Sequence, residues 1–394
     1  MRVVLTGGGS GGHLTPLLAI SGVLREWEAR GTLPDFEPDD PPLELVYVGV
    51  VTETDRTALE AAGIPYRHVP SGKIRRYLSG APLTVIDLTF RLPVGLFRAL
   101  WTLFFIMPDV VFSKGGYGAV PVMLAAWVYR IPILIHETDI VPGLVNRRFA
   151  RFASAIAVGF REAENAFPAG KALAVGTPLR PAFRQLESSD VARQRLGLHG
   201  RKPVLFVTGG SQGAQRINTV LLTNLTRLLP EVQILHQVGE QNLAAIRDFT
   251  LKDLRQFPGV EDYHVVGFLP EQDMARSFAA ADIVISRAGG TTLAEIAAAG
   301  KPSVLIPLRE AAQQHQWENA YFFREQGAAV VLDESNLTPS VFYSTIKRLL
   351  TNPQDLHVMA ERVRLLHRPT AAEDLATILV EMTRGRVPRQ VLAS

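Results

Sequence analysis

The chain has 394 residues, of which 47% are hydrophobic and 20% are charged, and its formal net charge is +3 at pH 7. A chain of this length exceeds one ordinary hydrophobic core, so we expect two globular domains and no extended disorder. The small net charge argues against nucleic acid as a partner. The chain contains no cysteine, which excludes disulfides, thiolate metal sites and cysteine nucleophiles and is typical of a cytoplasmic protein.

Short apolar runs alternate with helical patterns along the whole chain, and this alternation predicts parallel, doubly wound α/β sheets covered by helices. The predicted strands are 2–6, 45–49, 109–112, 132–136 and 155–158 in the first half, and 203–208, 232–237, 263–266, 282–285, 303–306 and 328–332 in the second. A stretch containing GTPLRPAF separates the two series, which predicts an N-terminal domain over 1–178 and a C-terminal domain over 179–369. The amphipathic pattern within 370–394 is compatible with a helix that packs back on the first domain.

The first glycine turn lies in residues 2–13, RVVLTGGGSGGH, where a strand pattern runs into glycines and then into a helical pattern. Such a turn directs backbone N–H groups and the positive end of a helix dipole at one point, which suits phosphate. The glycines match the dinucleotide fingerprint, but the second strand ends in Val50 and Val51 instead of an acidic residue for a ribose. His13 is either a polar residue with a local partner or a base or phosphate ligand.

Residues 83–107, LTVIDLTFRLPVGLFRALWTLFFIM, are long enough to span a bilayer, but two arginines, an aspartate and a proline interrupt them. Between Ser71 and Val110 there are five basic and two acidic residues. This composition favours exposed parts of 73–105, with Arg75 and Arg76, in contact with an anionic membrane surface, or a buried helix of an α/β domain. Both hold together if one face of the stretch is buried and one end is exposed.

Two further polar turns follow the next predicted strands of the first half. They lie at the same sheet edge as the first turn, because parallel strands present their carboxyl ends together. Residues 113–118, SKGGYG, contain three glycines, a serine and a lysine, which favours a second anion cradle over a plain strand–helix connection. Residues 136–139, HETD, are either polar site residues or a helix N-cap supplied by Thr138 or Asp139.

The second half repeats the glycine turn in residues 203–213, PVLFVTGGSQG. Residues 286–295, SRAGGTTLAE, follow another strand, and their small side chains let a diphosphate approach a helix N-terminus. Glu295 either accepts hydrogen bonds from two ribose hydroxyls or is a solvent-exposed helix position. Residues 315–319, HQWEN, suit recognition of sugar hydroxyls. The sequence has no Asp-x-Asp motif and no His/Glu cluster with metal-ligand spacing, so we expect no metal ion. The charge of a diphosphate would then be neutralised by backbone N–H groups, helix dipoles and arginine.

In their order along the chain, these motifs resemble the MurG family from residue 2 to about residue 325. The motifs are GGGSGGHLTP, FSKGGYGAVPVMLAA, HETDIVPGLVNR, GTPLR, TGGSQGAQRIN and SRAGGTTLAEIAAAGKPSVLIPL with HQWENA. The resemblance implies a GT-B glycosyltransferase fold, with two Rossmann-like domains facing across a cleft. It implies metal-independent, inverting transfer of N-acetylglucosamine from UDP-N-acetylglucosamine to the 4-hydroxyl of undecaprenyl-pyrophosphoryl-MurNAc-pentapeptide in peptidoglycan synthesis, with no cofactor.

The resemblance also implies roles for individual residues. Donor-binding roles fall on Ser10, Gly11, Gly12, Asp139, Arg180, Ser211, Gln212, Leu269, Gly290, Thr291, Thr292, Glu295, His315 and Gln316. Acceptor-binding roles fall on Gly9, Ser10, His13, Gly115, Gly116, Tyr117 and Asn146. We favour His13 as the catalytic base, with Glu137 and Asp139 as rivals. Many family members have His-Glu-Gln-Asn where this chain has His-Glu-Thr-Asp, and a carboxylate at Asp139 accepts but does not donate hydrogen bonds.

An undecaprenyl-linked acceptor stays in the bilayer, so we expect a peripheral protein at the cytoplasmic face of the plasma membrane that contacts anionic lipids of the inner leaflet. Two other functions fit the motifs. A UDP-N-acetylglucosamine 2-epimerase-like enzyme would share the fold and the donor, but the amphipathic stretch argues against it. A non-catalytic UDP-sugar-binding subunit would not need intact motifs in both halves.

Overall fold

The computed structural model describes residues 1–8, 13–34, 40–72, 87–210, 213–308 and 314–386, without the side chains of Leu88 and Asp253. The chain divides into two compact units. The first unit is Met1–Arg180 together with Arg368–Ser394, and the second is Pro181–His367. The first unit therefore takes its last segment from the C-terminal end of the chain.

The first unit is built on a seven-stranded sheet in the order β3-β2-β1-β4-β5-β6-β7, with parallel pairing throughout the described residues. Its strands are β1 (Arg2–Thr6), β2 (Glu44–Gly49), β3 (Tyr66–His68), β4 (Val110–Ser113), β5 (Ile133–Glu137), β6 (Ala155–Val158) and β7 (Ala172–Ala174). Its helices are α1 (Leu14–Arg30), α2 (Glu53–Ala61), α3 (Leu92–Ile106, preceded by a π turn over Asp87–Arg91), α4 (Val120–Val128), α5 (Leu144–Phe149) and α14 (Ala371–Thr383).

The second unit has a six-stranded sheet in the order β10-β9-β8-β11-β12-β13, also parallel in the described part of the chain. Its strands are β8 (Val204–Thr208), β9 (Gln233–Gln237), β10 (Tyr263–Val266), β11 (Ile283–Ser286), β12 (Ser303–Leu305) and β13 (Val330–Val331). Its helices are α6 (Ser189–Arg195), α7 (Gln215–Leu228), α8 (Glu240–Asp253), α9 (Glu271–Ala280), α10 (Gly290–Ala299), α11 (His315–Glu325), α12 (Pro339–Thr351) and α13 (Pro353–Arg364).

Both sheets have the strand order of a Rossmann fold, so the predicted fold class is confirmed. All eleven predicted strands are present within one or two residues of their predicted bounds. The prediction missed Tyr66–His68 and Ala172–Ala174, which are three-residue strands at the two edges of the first sheet. Strands this short carry too little pattern to separate from loops.

Helices cover both faces of the first sheet. One face packs against α1 and α14, where Leu375 and Leu379 of α14 are completely buried with Leu17 of α1. The other face packs against α3 and α4 through small and apolar residues such as Ala99 and Val122. Because the helix over Ala371–Thr383 completes the core on the face that it shares with α1, its removal would expose the apolar residues that it covers there.

Candidate functional site

The strand order of the first unit places the carboxyl ends of β1, β4 and β5 side by side, and three polar turns meet there. The turns are packed closely enough to require glycine. A Cβ atom at Gly116 would overlap the carbonyl oxygen of Gly8, and one at Gly118 would lie 2.9 Å from the carbonyl oxygen of Gly7. Gly116 also has a φ of +76°, which a side chain disfavours.

His13 precedes α1 and lies against the turn after β4, where a Cβ atom at Gly116 would be 3.2 Å from its Cε1. Burial is the main cause that lowers the pKa of His13 to about 4, and repulsion from Lys114 is the second. The charges of Asp139 and Asp55 oppose this shift, as does a hydrogen bond between His13 and the backbone of Lys114. Its Nδ1 is buried without a hydrogen-bond partner among the described residues. His13 is therefore a neutral imidazole at pH 7.

Lys114 and His136 form a buried chain of hydrogen bonds across this sheet edge. The Nζ of Lys114 lies 3.1 Å from His136 Nδ1 and 3.3 Å from the carbonyl oxygen of His136. His136 Nε2 lies 2.9 Å from the carbonyl oxygen of Gly176, so Nε2 carries the proton and Nδ1 accepts from Lys114. Burial lowers the pKa of Lys114 to about 8, and burial with the charge of Lys114 holds that of His136 well below its usual value.

Glu137 braces the loop that follows β5. Its Oε1 accepts from the backbone N–H groups of Thr138 (2.8 Å) and Asp139 (3.1 Å). Its Oε2 accepts from the N–H of Gly143 and from Nδ2 of Asn146, both at 2.9 Å. Burial and repulsion from Asp139 raise the pKa of this carboxyl, while Lys114 and the hydrogen bonds oppose the rise.

These four bonds correct two expectations for the HETD segment. They fill the four lone-pair sites of the Glu137 carboxylate, so the geometry gives it a structural role and disagrees with its candidacy as the base. The residue that precedes the next helix is Gly143, so neither Thr138 nor Asp139 supplies an N-cap. Asp139 is half-buried beside the brace.

Asn146 is buried between this brace and the turn after β4. A Cβ atom at Gly115 would overlap its Oδ1, and Gly115 has a φ of +73°. Tyr117, two residues further on, is half-buried, and its carbonyl oxygen accepts a 2.6 Å hydrogen bond from Ser71. The structure therefore brings together five predicted acceptor-side residues, His13, Gly115, Gly116, Tyr117 and Asn146.

Tyr47 of β2 also belongs to this site, although it was not predicted from the sequence. Its hydroxyl lies 2.8 Å from the carbonyl oxygen of Gly7 and 3.1 Å from that of Val50, and so it holds the first glycine turn to the end of β2. Burial raises the pKa of Tyr47 above its usual value. The strand pattern ELVYVG contains this tyrosine, but a tyrosine in an apolar strand equally predicts an ordinary core residue.

The glycine turn of the second unit follows β8. Thr208 Oγ1 donates a 2.6 Å hydrogen bond to Gln237 Oε1, and it accepts from the N–H of Gly210 at 3.2 Å. Gly213 has a φ of +73°, and a Cβ atom there would overlap the carbonyl oxygen of Val238. Gly213 therefore packs tightly against the residue that follows β9, just before α7 begins.

The second polar turn of this unit follows β11 and begins α10. Gly289 precedes the helix, and no described residue lies within 4 Å of a Cβ atom placed on it, so the described residues leave the approach to the helix N-terminus open. Asn319 Nδ2 supports the turn from below, 3.0 Å from the carbonyl oxygen of Ala288. Glu295 is only 4% exposed, which rules out the solvent-exposed alternative. Thr291 and Thr292 are half-buried in the first turn.

Four other predicted donor residues lie on different elements. Gln316, in the first turn of α11, accepts a 2.9 Å hydrogen bond from the N–H of Leu308, and the half-buried His315 precedes it. Leu269 is buried in the loop between β10 and α9. Arg180 is the last residue of the first unit before the boundary.

Some predicted residues lie outside the described part of the chain. They are Gly9, Ser10, Gly11, Gly12, Ser211 and Gln212, together with Arg75 and Arg76 of the membrane prediction. Within the described residues, no group of three or more His, Cys, Asp or Glu side chains is arranged to hold a metal ion.

The first unit also carries an exposed apolar face on α3. Gly95, Ala99 and Leu103 point into the unit, so only 17% of the window Thr89–Ile106 is buried, and that window is long and apolar enough to cross a membrane. Trp101 is 61% exposed and lies 5.0 Å from Phe105 between ring centroids. One face of α3 is therefore buried in the first unit and the other is exposed, so the helix belongs to the domain and also presents an apolar surface.

The apolar face continues onto the end of α4. The side chains concerned are large and exposed on both helices, and they are Phe90, Val94, Phe97, Trp101, Phe104, Phe105, Met107, Trp127, Val128 and Tyr129. We call this set the aromatic face. Tyr129 donates a 3.1 Å hydrogen bond to the carbonyl oxygen of Leu100, which joins the two helices. Arg98, Arg130 and Arg151 are exposed on or beside it.

The comparisons with known proteins agree on one family. The glycosyltransferase family 28 N-terminal domain matches residues 3–158, and the family 28 C-terminal domain matches residues 204–375. A protein of Lachnospira eligens, named UDP-N-acetylglucosamine--N-acetylmuramyl-(pentapeptide) pyrophosphoryl-undecaprenol N-acetylglucosamine transferase, is 35% identical over 362 residues, covering 92% of this chain and 94% of the relative.

Solved structures are also similar to this chain. The crystal structure of Acinetobacter baumannii MurG is similar with a TM-score of 0.69 and 28% identity, covering 96% of this chain and 98% of that chain. A Neisseria meningitidis UDP-GlcNAc 2-epimerase bound to UDP-GlcNAc has a TM-score of 0.66 at 13% identity, covering 97% of this chain and 100% of that chain. At 13% identity, the second likeness shows the fold alone.

Proposed function

The chain belongs to the MurG family of family 28 glycosyltransferases, and from this premise we propose that it transfers N-acetylglucosamine from UDP-N-acetylglucosamine to undecaprenyl-pyrophosphoryl-MurNAc-pentapeptide. The acceptor would react through its 4-hydroxyl, with inversion at the anomeric carbon, in peptidoglycan synthesis. Both units match the family, and the relative from Lachnospira eligens is covered over 94% of its length. The proposal therefore concerns the whole enzyme.

The observation that carries this proposal is the buried glutamate behind an open helix N-terminus in the second unit. The N-terminus of α10 follows a glycine that the described residues leave uncovered, which suits the diphosphate of a nucleotide sugar. Glu295 lies one turn further on, where its carboxylate would accept hydrogen bonds from the ribose hydroxyls. We assign Gly290, Thr291 and Thr292 to the diphosphate.

In the first unit, His13 is the base in our proposal. The 4-hydroxyl oxygen of the acceptor forms a bond to the anomeric carbon, and the bond from that carbon to the diphosphate oxygen breaks with its electron pair leaving on UDP. The hydroxyl proton moves to the neutral imidazole of His13. The α10 N-terminus stabilises the charge that develops on the diphosphate. The glycine turns around Gly115 and Gly116 would hold the acceptor.

The remaining donor roles of Leu269, His315, Gln316, Arg180 and Asp139 stay predictions from the family resemblance. The backbone contact of Gln316 to Leu308 fixes its Oε1, so its amide nitrogen is the atom available to a sugar hydroxyl. The half-buried Asp139 contributes negative charge beside His13, which favours a protonated imidazole after proton transfer.

We assign the aromatic face to the membrane surface. The acceptor of the named relatives is an undecaprenol derivative, and a face of exposed Phe, Trp and Tyr flanked by arginines suits the interface of an anionic bilayer. In vesicle co-sedimentation, Trp101→Ser should reduce binding, whereas Leu365→Ser should not, since Leu365 is 82% exposed on the second unit. Equal binding of both variants to anionic vesicles would contradict this assignment.

One assay tests the proposed function against its two rivals. UDP release from UDP-N-acetylglucosamine is measured with and without the lipid acceptor. Release that requires the lipid supports the transferase, conversion of the sugar nucleotide without lipid supports the epimerase, and binding without turnover supports the non-catalytic subunit. His13→Gln should abolish turnover and His357→Gln should not, because His357 is exposed on α13. Wild-type kcat in His13→Gln refutes the assignment of the base.

A further inference from the structure

Pro70, Ser71 and Gly72 lie shortly after β3 and form a segment that we call the strap. The strap contacts both the turn after β4 and α3, the helix that carries most of the aromatic face. Ser71 is only 7% exposed. Its Oγ donates a 2.6 Å hydrogen bond to the carbonyl oxygen of Tyr117, which is 46 residues further along the chain. The strap therefore makes a specific, non-local contact with the turn to which we assign the acceptor.

The backbone of the strap is packed against α3 on both sides of Ser71. Before Ser71, the carbonyl oxygen of Pro70 would overlap a Cβ atom placed on Gly95 of α3. After Ser71, a Cβ atom placed on Gly72 would lie 2.6 Å from the carbonyl oxygen of Asp87, the first residue of the π turn that precedes α3. Because neither glycine leaves room for a side chain, the strap and α3 are in direct backbone contact.

The start of α4 meets the strap and α3 at the same place. The Cβ position of Gly95 is 3.2 Å from Cγ of Pro121, in the first turn of α4. The carbonyl oxygen of Tyr117 accepts a hydrogen bond from the backbone N–H of Val120, the first residue of α4, as well as from Ser71. This carbonyl group therefore joins the strap, and through it α3, to the turn after β4.

The turn after β4 gains its shape from such contacts, because glycine is the least restrained residue in its backbone. Gly115 and Gly116 have φ values of +73° and +76°. Inside the turn, the N–H of Gly115 donates a 3.0 Å hydrogen bond to Oγ of Ser113. Successive backbone N–H groups hold a phosphate only when the turn is ordered. Each contact that orders the turn before binding therefore reduces the entropy cost of binding.

We propose that Ser71 is a positioning residue for the lipid acceptor: its hydrogen bond to Tyr117 holds the turn after β4 in a fixed place relative to the helix that carries the aromatic face. The inference rests on the proposed function, which assigns this turn to the acceptor and the aromatic face to the membrane. An acceptor anchored in the bilayer reaches the protein from that surface. The strap then sets where the turn lies with respect to the membrane.

The test is steady-state kinetics of Ser71→Ala with UDP-N-acetylglucosamine and with the lipid acceptor in anionic vesicles. Without the hydrogen bond, the turn has to be ordered as the acceptor binds. KM for the acceptor should therefore rise roughly 2- to 12-fold, which corresponds to about 0.5–1.5 kcal/mol for one hydrogen bond between neutral groups. KM for UDP-N-acetylglucosamine should not change, because its proposed site lies in the second unit. Co-sedimentation with the vesicles should not change either, since the aromatic face is intact.

Ser21→Ala is the matched control. Ser21 is 2% exposed in α1 of the same unit, and its Oγ donates a 2.8 Å hydrogen bond to the carbonyl oxygen of Leu17. Both variants remove a hydrogen bond from a buried serine to a backbone carbonyl, so a general effect on stability would appear in both. Only Ser71→Ala should change KM for the acceptor. Equal acceptor KM values in the two variants overturn the role of Ser71.

A second measurement does not depend on activity. Amide hydrogen exchange of residues 115–120 should be faster in Ser71→Ala than in the wild type and in Ser21→Ala. Unchanged exchange in the folded variant also overturns the inference. Ser71→Cys, which keeps only a weak S–H donor, takes its place in both measurements if Ser71→Ala does not fold. If the wild-type protein releases no UDP in the presence of the lipid, the proposed function fails instead, and the exchange rates still report on the strap.

Discussion

Replacing Gly115 by alanine tests whether Asn146 is held in one position between the glycine turn and the Glu137 brace. The new Cβ would overlap the amide oxygen of Asn146 and lie 2.7 Å from its Cγ and 2.9 Å from its Nδ2. A clash with the end of a side chain is mild when that side chain can move. Here Asn146 is buried and donates a 2.9 Å hydrogen bond to Glu137, so moving it breaks that bond.

The expected cost has two parts. Forcing alanine to the left-handed φ of +73° at Gly115 costs about 1–2 kcal/mol. Losing the hydrogen bond from Asn146 to a buried carboxylate costs about 1.5–3 kcal/mol more. We therefore expect Gly115→Ala to lower the free energy of unfolding of the first unit by roughly 2.5–5 kcal/mol.

Two glycines of the same unit provide matched controls. Gly31 has a φ of +63° with no described atom within 4 Å of its Cβ position, so Gly31→Ala measures the backbone strain alone, about 1–2 kcal/mol. Gly22 lies inside α1 with open space around it, so Gly22→Ala should stabilise by about 0.5–1 kcal/mol. Urea unfolding followed by tryptophan fluorescence gives all three values, since three of the four tryptophans belong to the first unit. If Gly115→Ala costs no more than Gly31→Ala, Asn146 is not fixed as we describe.

Glu295→Ala should raise KM for UDP-N-acetylglucosamine roughly 5- to 150-fold, which corresponds to about 1–3 kcal/mol for lost hydrogen bonds to a charged group. An unchanged KM would contradict the ribose role of Glu295. Glu318→Ala is the control, because Glu318 is exposed on α11. The kcat/KM for the lipid acceptor should stay level from pH 7 to pH 5.5, because burial and Lys114 lower the pKa of His13 to about 4. An acid limb centred near the ordinary histidine value would contradict this. Between the ordinary histidine pKa and the folded value of about 4, the unfolded chain binds more protons at His13 than the folded chain does. The contribution of His13 to the free energy of unfolding is therefore lost as the pH falls from the ordinary histidine pKa to about 4.

The strands were predictable because both faces of each sheet are covered. Parallel strands buried on two faces read as continuous apolar runs, and β4 and β8 are buried at every position. Their carboxyl ends share an edge in any such fold, so the glycine turns could be located at the sites from sequence alone. The edge strands β3 and β7 were not predicted, because their three residues are too few to show a strand pattern.

The roles of individual polar residues were harder to predict. The HETD segment indicated a polar site, but the role of Glu137 depends on the backbone path of residues 138–146, which brings four donors to one carboxylate. That path depends on tertiary packing and leaves no local signature. The burial of Glu295 was likewise undetermined, because its helix position has the same sequence pattern whether it faces solvent or a ligand.

Comparison of the two sheets shows which features belong to the architecture. In each, the first strand ends in threonine before two glycines, and the fourth strand along the chain ends in serine. Thr6 pairs in register with Ser113, and Thr208 pairs with Ser286. A basic residue follows each serine, Lys114 in the first unit and Arg287 in the second. The position of the cation is therefore a property of the duplicated architecture.

The two cations differ in how they are neutralised. Arg287 donates from Nη1 to the carbonyl oxygen of Ile306 at 3.0 Å, as Lys114 does to that of His136 at 3.3 Å. Arg287 also forms a 2.6 Å ion pair with Glu334. The fold thus accommodates a paired cation at this position, whereas the described contacts of the Lys114 ammonium are to His136. The charge of Lys114 is instead balanced by the carboxylates of Glu137 and Asp139, which raise its pKa against the effect of burial.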